Sequence, residues 1–435
     1  MKKVAFYTLG CKVNQVETEQ IKEDFINQGY SIVDFDGQAD IYIINTCTVT
    51  HVSNRKSRSI IRRAVKGNPR ALVVVTGCMA QTETEQIKAI EGVSLIVGNR
   101  EKENVLKIAE EFIQTKGSLA IIADKISRTQ PLKPVIYQQP HDRTRAFVKI
   151  QDGCENFCSY CIVPFARGPV RSKLPQDVVQ EVQQLVGLGY KEIILTGIHI
   201  GSYGVDLGNY NIVKILETIL NQVSGEYRIR LSSIEPTEFS PALVSLAAEE
   251  NKICPHFHIP LQSGSNRILR EMNRSYTQRF YQDLVDGIAS KIPDSAITTD
   301  VMVGFPTEEE EDFRHTYRLI EKLPVFDLHV FKYSSRPGTK AATMSGMVPE
   351  EDKKIRSRKL LELAEQKRLR YMNFFLNKEL KILVEEKIGN TAYKGLSDNY
   401  IQVVFNHGKD LRGQLVKAQI LEIKDNQAIG QLAAD

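Results

Sequence analysis

Residues 147–161 read Phe147-Val-Lys-Ile-Gln-Asp-Gly-Cys154-Glu-Asn-Phe-Cys158-Ser-Tyr-Cys161. A short apolar strand runs into a glycine and then into three cysteines spaced CxxxCxxC. Three close thiolates bind an iron–sulfur cluster, whose usual protein complement is four. A missing fourth ligand leaves one iron open, and an open position is what catalysis at a metal requires. Gly153 and the polar residues between the cysteines let the loop wrap a cluster. A zinc knuckle would want a fourth Cys or His close by.

Working outward, the same strand opens a βα alternation. Candidate strands are Phe147–Gln151, Glu192–Thr196, Arg228–Ser232, Phe257–Pro260, Ile297–Val303 and Leu328–Tyr333. Six βα units are too few for a closed eight-fold barrel, so a partial, open (βα)6 barrel is expected over residues 141–372. Residues 1–115 alternate in the same way. Val4–Leu9, Ile41–Asn45, Leu72–Thr76 and Val93–Val97 read as strands, and Val16–Gln28, Val52–Lys66 and Glu101–Gln114 as helices. That pattern predicts an α/β domain of flavodoxin-like or Rossmann-like type, a parallel sheet with helices on both faces. Residues 116–140 read as a linker, with Pro131, Pro134 and Pro140 among polar residues. Glu350–Phe375 is helical and basic. In residues 373–435, Glu379–Glu386, Tyr400–Phe405 and Gly413–Glu422 alternate between turn residues, which predicts a small β-barrel.

Cys11, Cys47 and Cys78 are far apart, and each alone would pass for a small buried hydrophobe. Each follows one of the N-terminal strands. In an open parallel sheet the carboxyl strand ends line one crevice, and ligands bind there. In a flavodoxin-like order the three strands are neighbours, so three thiols converge and a second three-cysteine cluster site is expected. Gly10, Asn45 and Gly77 beside them permit close backbone approach. Cys254 has no cysteine partner and reads as a free thiol.

The chain has 435 residues, a formal net charge of +4, 42% hydrophobic and 25% charged residues, which fits a globular protein with a full core. No run of about 18 apolar residues occurs, so no membrane span is expected. Seven cysteines without a secretion signal read as ligands or thiols of a reducing cytoplasm, not as a disulfide framework.

The CxxxCxxC loop, with an aromatic before its last Cys, is similar to the cluster loop of radical S-adenosylmethionine (SAM) enzymes. The order of a three-Cys domain, a radical-SAM domain and a C-terminal β-domain resembles the methylthiotransferases over essentially the whole chain. Thr8-Leu-Gly-Cys-Lys-Val-Asn-Gln15 resembles the opening motif of the branch acting on N6-threonylcarbamoyladenosine at position 37 of tRNA, next to the anticodon. Ile259-Pro-Leu-Gln-Ser-Gly-Ser265 and Thr298-Thr-Asp-Val-Met-Val-Gly-Phe-Pro306 add to the resemblance, and the β-domain is similar to the TRAM RNA-binding module. The resemblance implies two [4Fe-4S] clusters, on Cys154/Cys158/Cys161 and Cys11/Cys47/Cys78, and two SAM. One SAM is cleaved to methionine and a 5′-deoxyadenosyl radical that activates carbon 2 of the adenine; the other supplies the methyl group. A tRNA anticodon loop as partner and an electron donor such as flavodoxin or ferredoxin follow. The alternatives are isopentenyladenosine in tRNA or a ribosomal-protein aspartate as substrate, and Lys12-Val13-Asn14 and the basic helix described next argue against the latter.

The remaining signals are weaker. Gly304 resembles the glycine near the SAM adenine, and Gly197 and Gln262 follow strands at positions that suit SAM. The Leu195-Thr-Gly-Ile-His199 segment lacks the Glu that often holds the SAM amino group. Thr307 is expected to cap a helix, with Glu310 reaching back. His199, His256 and His258 read as hydrogen-bonded structural residues. Arg55, Lys56, Arg58, Arg62, Arg63, Lys66 and Arg70 fall on one arc of a helix, with Ile60, Ile61, Ala64 and Val65 opposite. No acid interrupts the window, so Arg55, Arg58, Arg62 and Lys66 are candidates for tRNA phosphates. A second basic stretch runs from Lys353 to Arg370, ahead of Tyr393, Tyr400 and Phe405, which could stack bases or fill a core; Phe405 reads as core.

Overall fold

The computed structural model describes residues 2–115, 119–124, 126–127, 132–137 and 143–433. The expected linker, 116–140, falls partly outside them, Pro131 and Pro140 included. In its described part Leu132, Val135 and Tyr137 are buried, while Lys133, Pro134 and Ile136 are exposed.

The chain divides into two compact units, the first made of residues 1–138, 151–173 and 334–342. The first unit holds a parallel sheet of six strands: β1 (Lys3–Thr8), β2 (Ser31–Val33), β3 (Ile41–Thr46), β4 (Leu72–Gly77), β5 (Leu95–Val97) and β6 (Ala120–Ile122), in the order β2-β1-β3-β4-β5-β6. The helices are α1 (Lys12–Asn27), α2 (His51–Gly67), α3 (Cys78–Thr82), α4 (Thr84–Lys88) and α5 (Val105–Thr115). Alternation along the strands feeds two cores. Ala5, Ile44, Val73 and Val75 pack with Ile60, Ile61 and Ala64 of α2. Val4, Ile41, Ile43 and Val74 pack with Ile21 and Phe25 of α1 and Val105 and Ala109 of α5. Helices thus cover both faces, as the alternation predicts. The strands β2 and β6 are absent from the sequence reading, since three residues are too few to display a period; β5, equally short, is legible through the longer apolar stretch Val93–Val97.

The second unit carries the six expected parallel strands in two sheets. Arg228–Leu231, Glu192–Thr196 and Ala146–Lys149 form one; His256–His258, Ala296–Val303 and Asp327–Lys332 form the other. A parallel bridge between Ile229 and Ile253 and the bond from Ile234 N to His258 O (3.1 Å) join them. The long helix Glu350–Phe374 leads into a closed barrel of five strands, Glu379–Lys387, Ala392–Ser397, Gln402–Asn406, Leu415–Lys424 and Gln427–Leu432. The second and fifth are missing from the sequence reading because each carries a glycine that looks like a turn residue. In the fold Gly395 is a close-approach position: a Cβ there would lie 2.5 Å from Leu383 O. The barrel is fixed to the parallel sheet by Glu192. This carboxylate accepts from Arg228 and Arg230, whose remaining N–H groups donate to barrel carbonyls at Lys381 (3.0 Å), Leu396 (2.8 Å), Ser397 (3.0 Å) and Asp398 (2.8 Å).

One expectation, the Thr307 cap, is corrected here, and two readings left open are decided, with Phe405 in the core as expected. The helix after Gly304 begins at Glu310 and its cap is Glu309, whose N–H donates to Asp312 (2.9 Å). Thr307 is displaced from that role by a left-handed φ of 70°, and Glu308 turns back to Gly304 N (2.6 Å) and Arg356 (2.6 Å). The basic stretch 353–370 is mostly paired internally: Lys353 with Glu350 (2.7 Å), Lys354 with Glu351 (3.2 Å) and Arg368 with Asp327 (2.8 Å). Tyr393 and Phe405 are buried in the barrel core, and Tyr400 stacks on His256 with ring centroids 3.9 Å apart, so none of the three offers a free face to a base.

Candidate functional site

The strands β1, β3 and β4 are adjacent, and Cys11, Cys47 and Cys78 come just after their carboxyl ends. Two glycines make the convergence sterically possible. Gly10 (φ 101°) faces Cys47, whose Sγ would lie 3.1 Å from a Cβ at that position. Gly77 (φ 97°) would place a Cβ 2.4 Å from Thr46 O. Only glycine tolerates both the left-handed φ and the approach. Asn14 Nδ2 donates to Leu9 O (2.7 Å) and Thr46 O (3.1 Å), tying the Cys11 and Cys47 loops together. Ser57 Oγ donates to Cys47 O (3.1 Å), and Arg336 Nε donates to Val49 O (3.2 Å). Ser334 Oγ accepts from His51 N (3.1 Å), so a late segment of the chain braces the same loop. Cys47 and Cys78 are buried while Cys11 is exposed, which leaves one open side. Burial pushes the Cys47 thiol up, and nearby Cys78 and Cys11 add to that shift, as expected of three sulfurs crowded together. A cation or cluster is what relieves such crowding, and an all-thiol donor set suits iron–sulfur clusters.

The second set lies between the short strand Gln151–Asp152 and the helix Val163–Arg167. Gly153 has φ 79°, and a Cβ there would sit 1.9 Å from Pro169 O. The loop is closed by Cys154 N to Gly168 O (3.1 Å) and Cys161 N to Cys158 O (2.9 Å), while Gln151 Nε2 holds Gly153 O (2.7 Å). All three cysteines are half-buried. A tight, glycine-started wrap with three partly accessible thiols fits a cluster with one iron left for another ligand.

Both sets lie in the first unit, and a buried network of side chains runs between Cys78 and Asp152, just before the second set. Arg167 donates from Nε to Cys78 Sγ (3.3 Å), and from its terminal nitrogens to Glu17, Asn14 and Asp152. Glu17 also pairs with Lys102 (2.6 Å) and Asp152 with Arg171 (3.2 Å). No local sequence signal marks these residues, because Arg167 is 89 positions from Cys78 and 150 from Glu17.

In the second unit, Gln262 has φ 62°, and its backbone bridges Asp300 O (2.8 Å) and Met302 N (2.9 Å). Gly304 is close-packed: a Cβ would lie 2.3 Å from Lys353 Cγ. Gly197 follows the strand Glu192–Thr196 and is half-buried. A carboxylate from another part of the unit lies beside this segment. Glu238 approaches His199 Nε2 (2.7 Å) and accepts from Ser202 Oγ (3.2 Å). His258 and His329 flank Asp300 at 3.1 and 3.2 Å. Burial would raise the Asp300 carboxyl, but the hydrogen bonds from the two imidazoles outweigh it and hold it well below the usual carboxylate range. Those bonds account for the orientation of both rings. Cys254 is buried, which pushes its thiol up to about 12.

The basic face of α2 is real but shorter and less uniform than its sequence suggests. Arg55, Arg62 and Lys66 are exposed, opposite buried Ile60, Ile61 and Ala64. Arg58 donates to Gln86 Oε1 (3.2 Å), Arg63 pairs with Asp36 (2.5 Å), and Arg70 lies beyond the helix end at Gly67.

The sheet, the open barrel and the CxxxCxxC loop define an iron–sulfur enzyme of the radical SAM class. The radical SAM superfamily model matches residues 148–320, and that of the uncharacterized protein family UPF0004 matches residues 3–98. Among solved structures, the radical SAM methyltransferase TsrM of Kitasatospora setae shares the fold at a TM-score of 0.59 and 14% identity, covering 79% of this chain and 77% of that one. Curated relatives are far more similar. The threonylcarbamoyladenosine tRNA methylthiotransferase MtaB of Bacillus subtilis is 43% identical over 97% of this chain and 94% of its own length, and that of Aquifex aeolicus 42% over 96% and 100%. A tRNA-2-methylthio-N(6)-dimethylallyladenosine synthase of Fusobacterium nucleatum is 34% identical over 99% of this chain and 100% of its own length. The chain belongs to the MtaB family of radical SAM methylthiotransferases.

Proposed function

We infer that this enzyme adds a methylthio group to carbon 2 of N6-threonylcarbamoyladenosine at position 37 of tRNA. The observation that carries the reading is the convergence of Cys11, Cys47 and Cys78 in the same compact unit as the Cys154–Cys158–Cys161 loop. The names of the MtaB relatives support the choice of nucleoside. Carbon 2 of adenine has no acidic proton and no leaving group, so acid–base chemistry alone cannot functionalise it. When bound, two [4Fe-4S] clusters and two SAM supply the one-electron chemistry, the sulfur and the methyl group.

The residues have separate tasks in this reading. Cys154, Cys158 and Cys161 hold the cluster whose open iron takes SAM, and Cys11, Cys47 and Cys78 hold the one that serves sulfur transfer. Gly197, Gln262 and Gly304 are the proposed SAM contacts, with Glu238 as a carboxylate beside the first of these segments. Residues 1–115, 141–372 and 373–435 act as the methylthiotransferase, radical SAM and TRAM-like RNA-binding domains. Arg55, Arg58, Arg62 and Lys66 meet tRNA phosphates. A base in a single-stranded anticodon loop can be splayed out into a pocket, which suits this target. A flavodoxin or ferredoxin supplies electrons, in the cytoplasm. Among the described residues no helix is long and apolar enough to cross a membrane.

Nucleoside mass spectrometry of tRNA from a deletion strain tests the substrate. The expected result is loss of 2-methylthio-N6-threonylcarbamoyladenosine with its unthiolated precursor retained. Loss of the methylthio-isopentenyl nucleoside instead would move the enzyme to the sister branch.

A further inference from the structure

Arg167 is fully buried. An arginine in such a place must have its charge matched, and here the matching is shared between carboxylates and a sulfur. Its terminal nitrogens face Glu17, Asp152 and Asn14, while Nε points at Cys78 Sγ 3.3 Å away. The surrounding side chains Lys102, Arg171, Glu17 and Asp152 are all buried too. With Arg167 they make three basic side chains against two carboxylates, and the Cys78 sulfur lies beside them. Asn99 Nδ2 approaches the same sulfur at 3.7 Å. The guanidinium also reaches Asn14, the side chain that staples the Cys11 and Cys47 loops. One residue thus touches the sulfur of one cysteine and the clamp of the other two.

We propose that Arg167 is a positioning and charge-tuning residue of the Cys11/Cys47/Cys78 cluster: its Nε–H holds the Cys78 sulfur, and its fixed charge favours the cluster's reduced state. The proposal rests on the reading that these three cysteines bind a cluster. Hydrogen bonds to the sulfurs and the net charge around a cluster set its reduction potential, and an adjacent cation stabilises the added electron. Burial strengthens that interaction because little solvent screens it. Arginine suits the task better than lysine, since its planar fork bonds sulfur, amide and carboxylate at once without losing its charge. The residue belongs to the helix directly after the Cys154–Cys158–Cys161 loop, and it bonds Asp152 just before that loop, so the two cluster segments share one fixed group.

The test uses full-length protein with Cys154, Cys158 and Cys161 replaced by Ala, so that only the N-terminal set can take iron. Iron per chain and the midpoint potential, from an EPR-monitored redox titration, are compared for this background, Arg167→Lys and Arg167→Gln after anaerobic reconstitution. The expected result is a midpoint moved to more negative potential in Arg167→Gln and a smaller move in Arg167→Lys. If Arg167→Gln loses its iron, Arg167→Lys decides: a lowered midpoint supports the proposal and an unchanged one overturns it. If neither variant takes up iron, yet both have the circular dichroism of the background, the holding role is supported. Equal iron and equal midpoints in all three proteins overturn it, as does unfolding of both variants, which would assign Arg167 to the fold alone. If the background itself takes up no iron, the cluster reading of Cys11, Cys47 and Cys78 fails, and the proposal with it.

Discussion

A single missing methyl group governs the loop that begins at Gly153. Its φ of 79° and the 1.9 Å separation between a built Cβ and Pro169 O leave no room for alanine, because the obstacle is backbone. Strain of this kind costs on the order of 1–3 kcal/mol at each such position, and here it falls on the residue before Cys154. We predict that Gly153→Ala lowers iron bound by the Cys154 set and lowers SAM cleavage in proportion, while the Cys11 set keeps its iron; Mössbauer or iron counting in the single-set backgrounds checks this. Retention of full iron in both sets would contradict it. At this scale the sequence is a good guide wherever chemistry is written in spacing. The three cysteines of the loop are close in sequence, and the other three each follow a strand end. Arg167 and Glu17 are illegible for the opposite reason. An isolated Arg and an isolated Glu, 150 positions apart, carry no local sign that burial will force them together.

Between elements, the decisive contact is the one that fastens the C-terminal barrel. Glu192 is buried, which alone would raise its carboxyl, but Arg230, Arg228 and Arg145 hold it down to about 2. A carboxyl that titrates near pH 4.3 in the unfolded chain therefore contributes stability that is full above about pH 5 and lost as the pH falls towards 2. Glu192→Gln should abolish that acid-side dependence. It should also cost about 3–5 kcal/mol, because two buried guanidinium groups lose their counter-charge. Hydrogen exchange across 379–432 at neutral pH and at pH 3 reads both effects; equal protection in wild type and variant would sink the idea. The strands joined here are partly legible in the sequence. Glu192–Thr196 and Arg228–Leu231 read as apolar runs with charged residues, whereas Ala392–Ser397 is hidden by a glycine whose role is close packing. The basic run at 353–370 misleads in the same way, since its acidic partners sit one helical turn away or on other elements.

For the molecule as a whole, a formal charge of +4 says little, and its placement says more. Arg55, Arg62 and Lys66 project from α2, and the loop of Cys47 precedes that helix. Each phosphate that a variant no longer neutralises should flatten the dependence of log affinity on log salt by about 0.7–0.9. Changing Arg55 and Arg62 to Gln is therefore expected to weaken tRNA binding and reduce the slope by roughly two such steps, with iron content unchanged. Parallel slopes across a salt series would mean that the stripe is only solvated surface. The bonds from Arg336 and Ser334 to the Cys47 loop have a different consequence, which concerns birth rather than catalysis. The first unit draws on residues 1–138, 151–173 and 334–342. During synthesis its opening sheet leaves the ribosome on the order of tens of seconds before its last piece does. Until then the Cys47 loop lacks its brace and, for a shorter interval, Cys78 lacks Arg167, so a newborn chain displays loose thiols to whatever oxidant or stray metal it meets. Faithful loading therefore waits for residues 334–342 to emerge, and any chain cut short before residue 334 has the cysteines but not the whole frame that aims them.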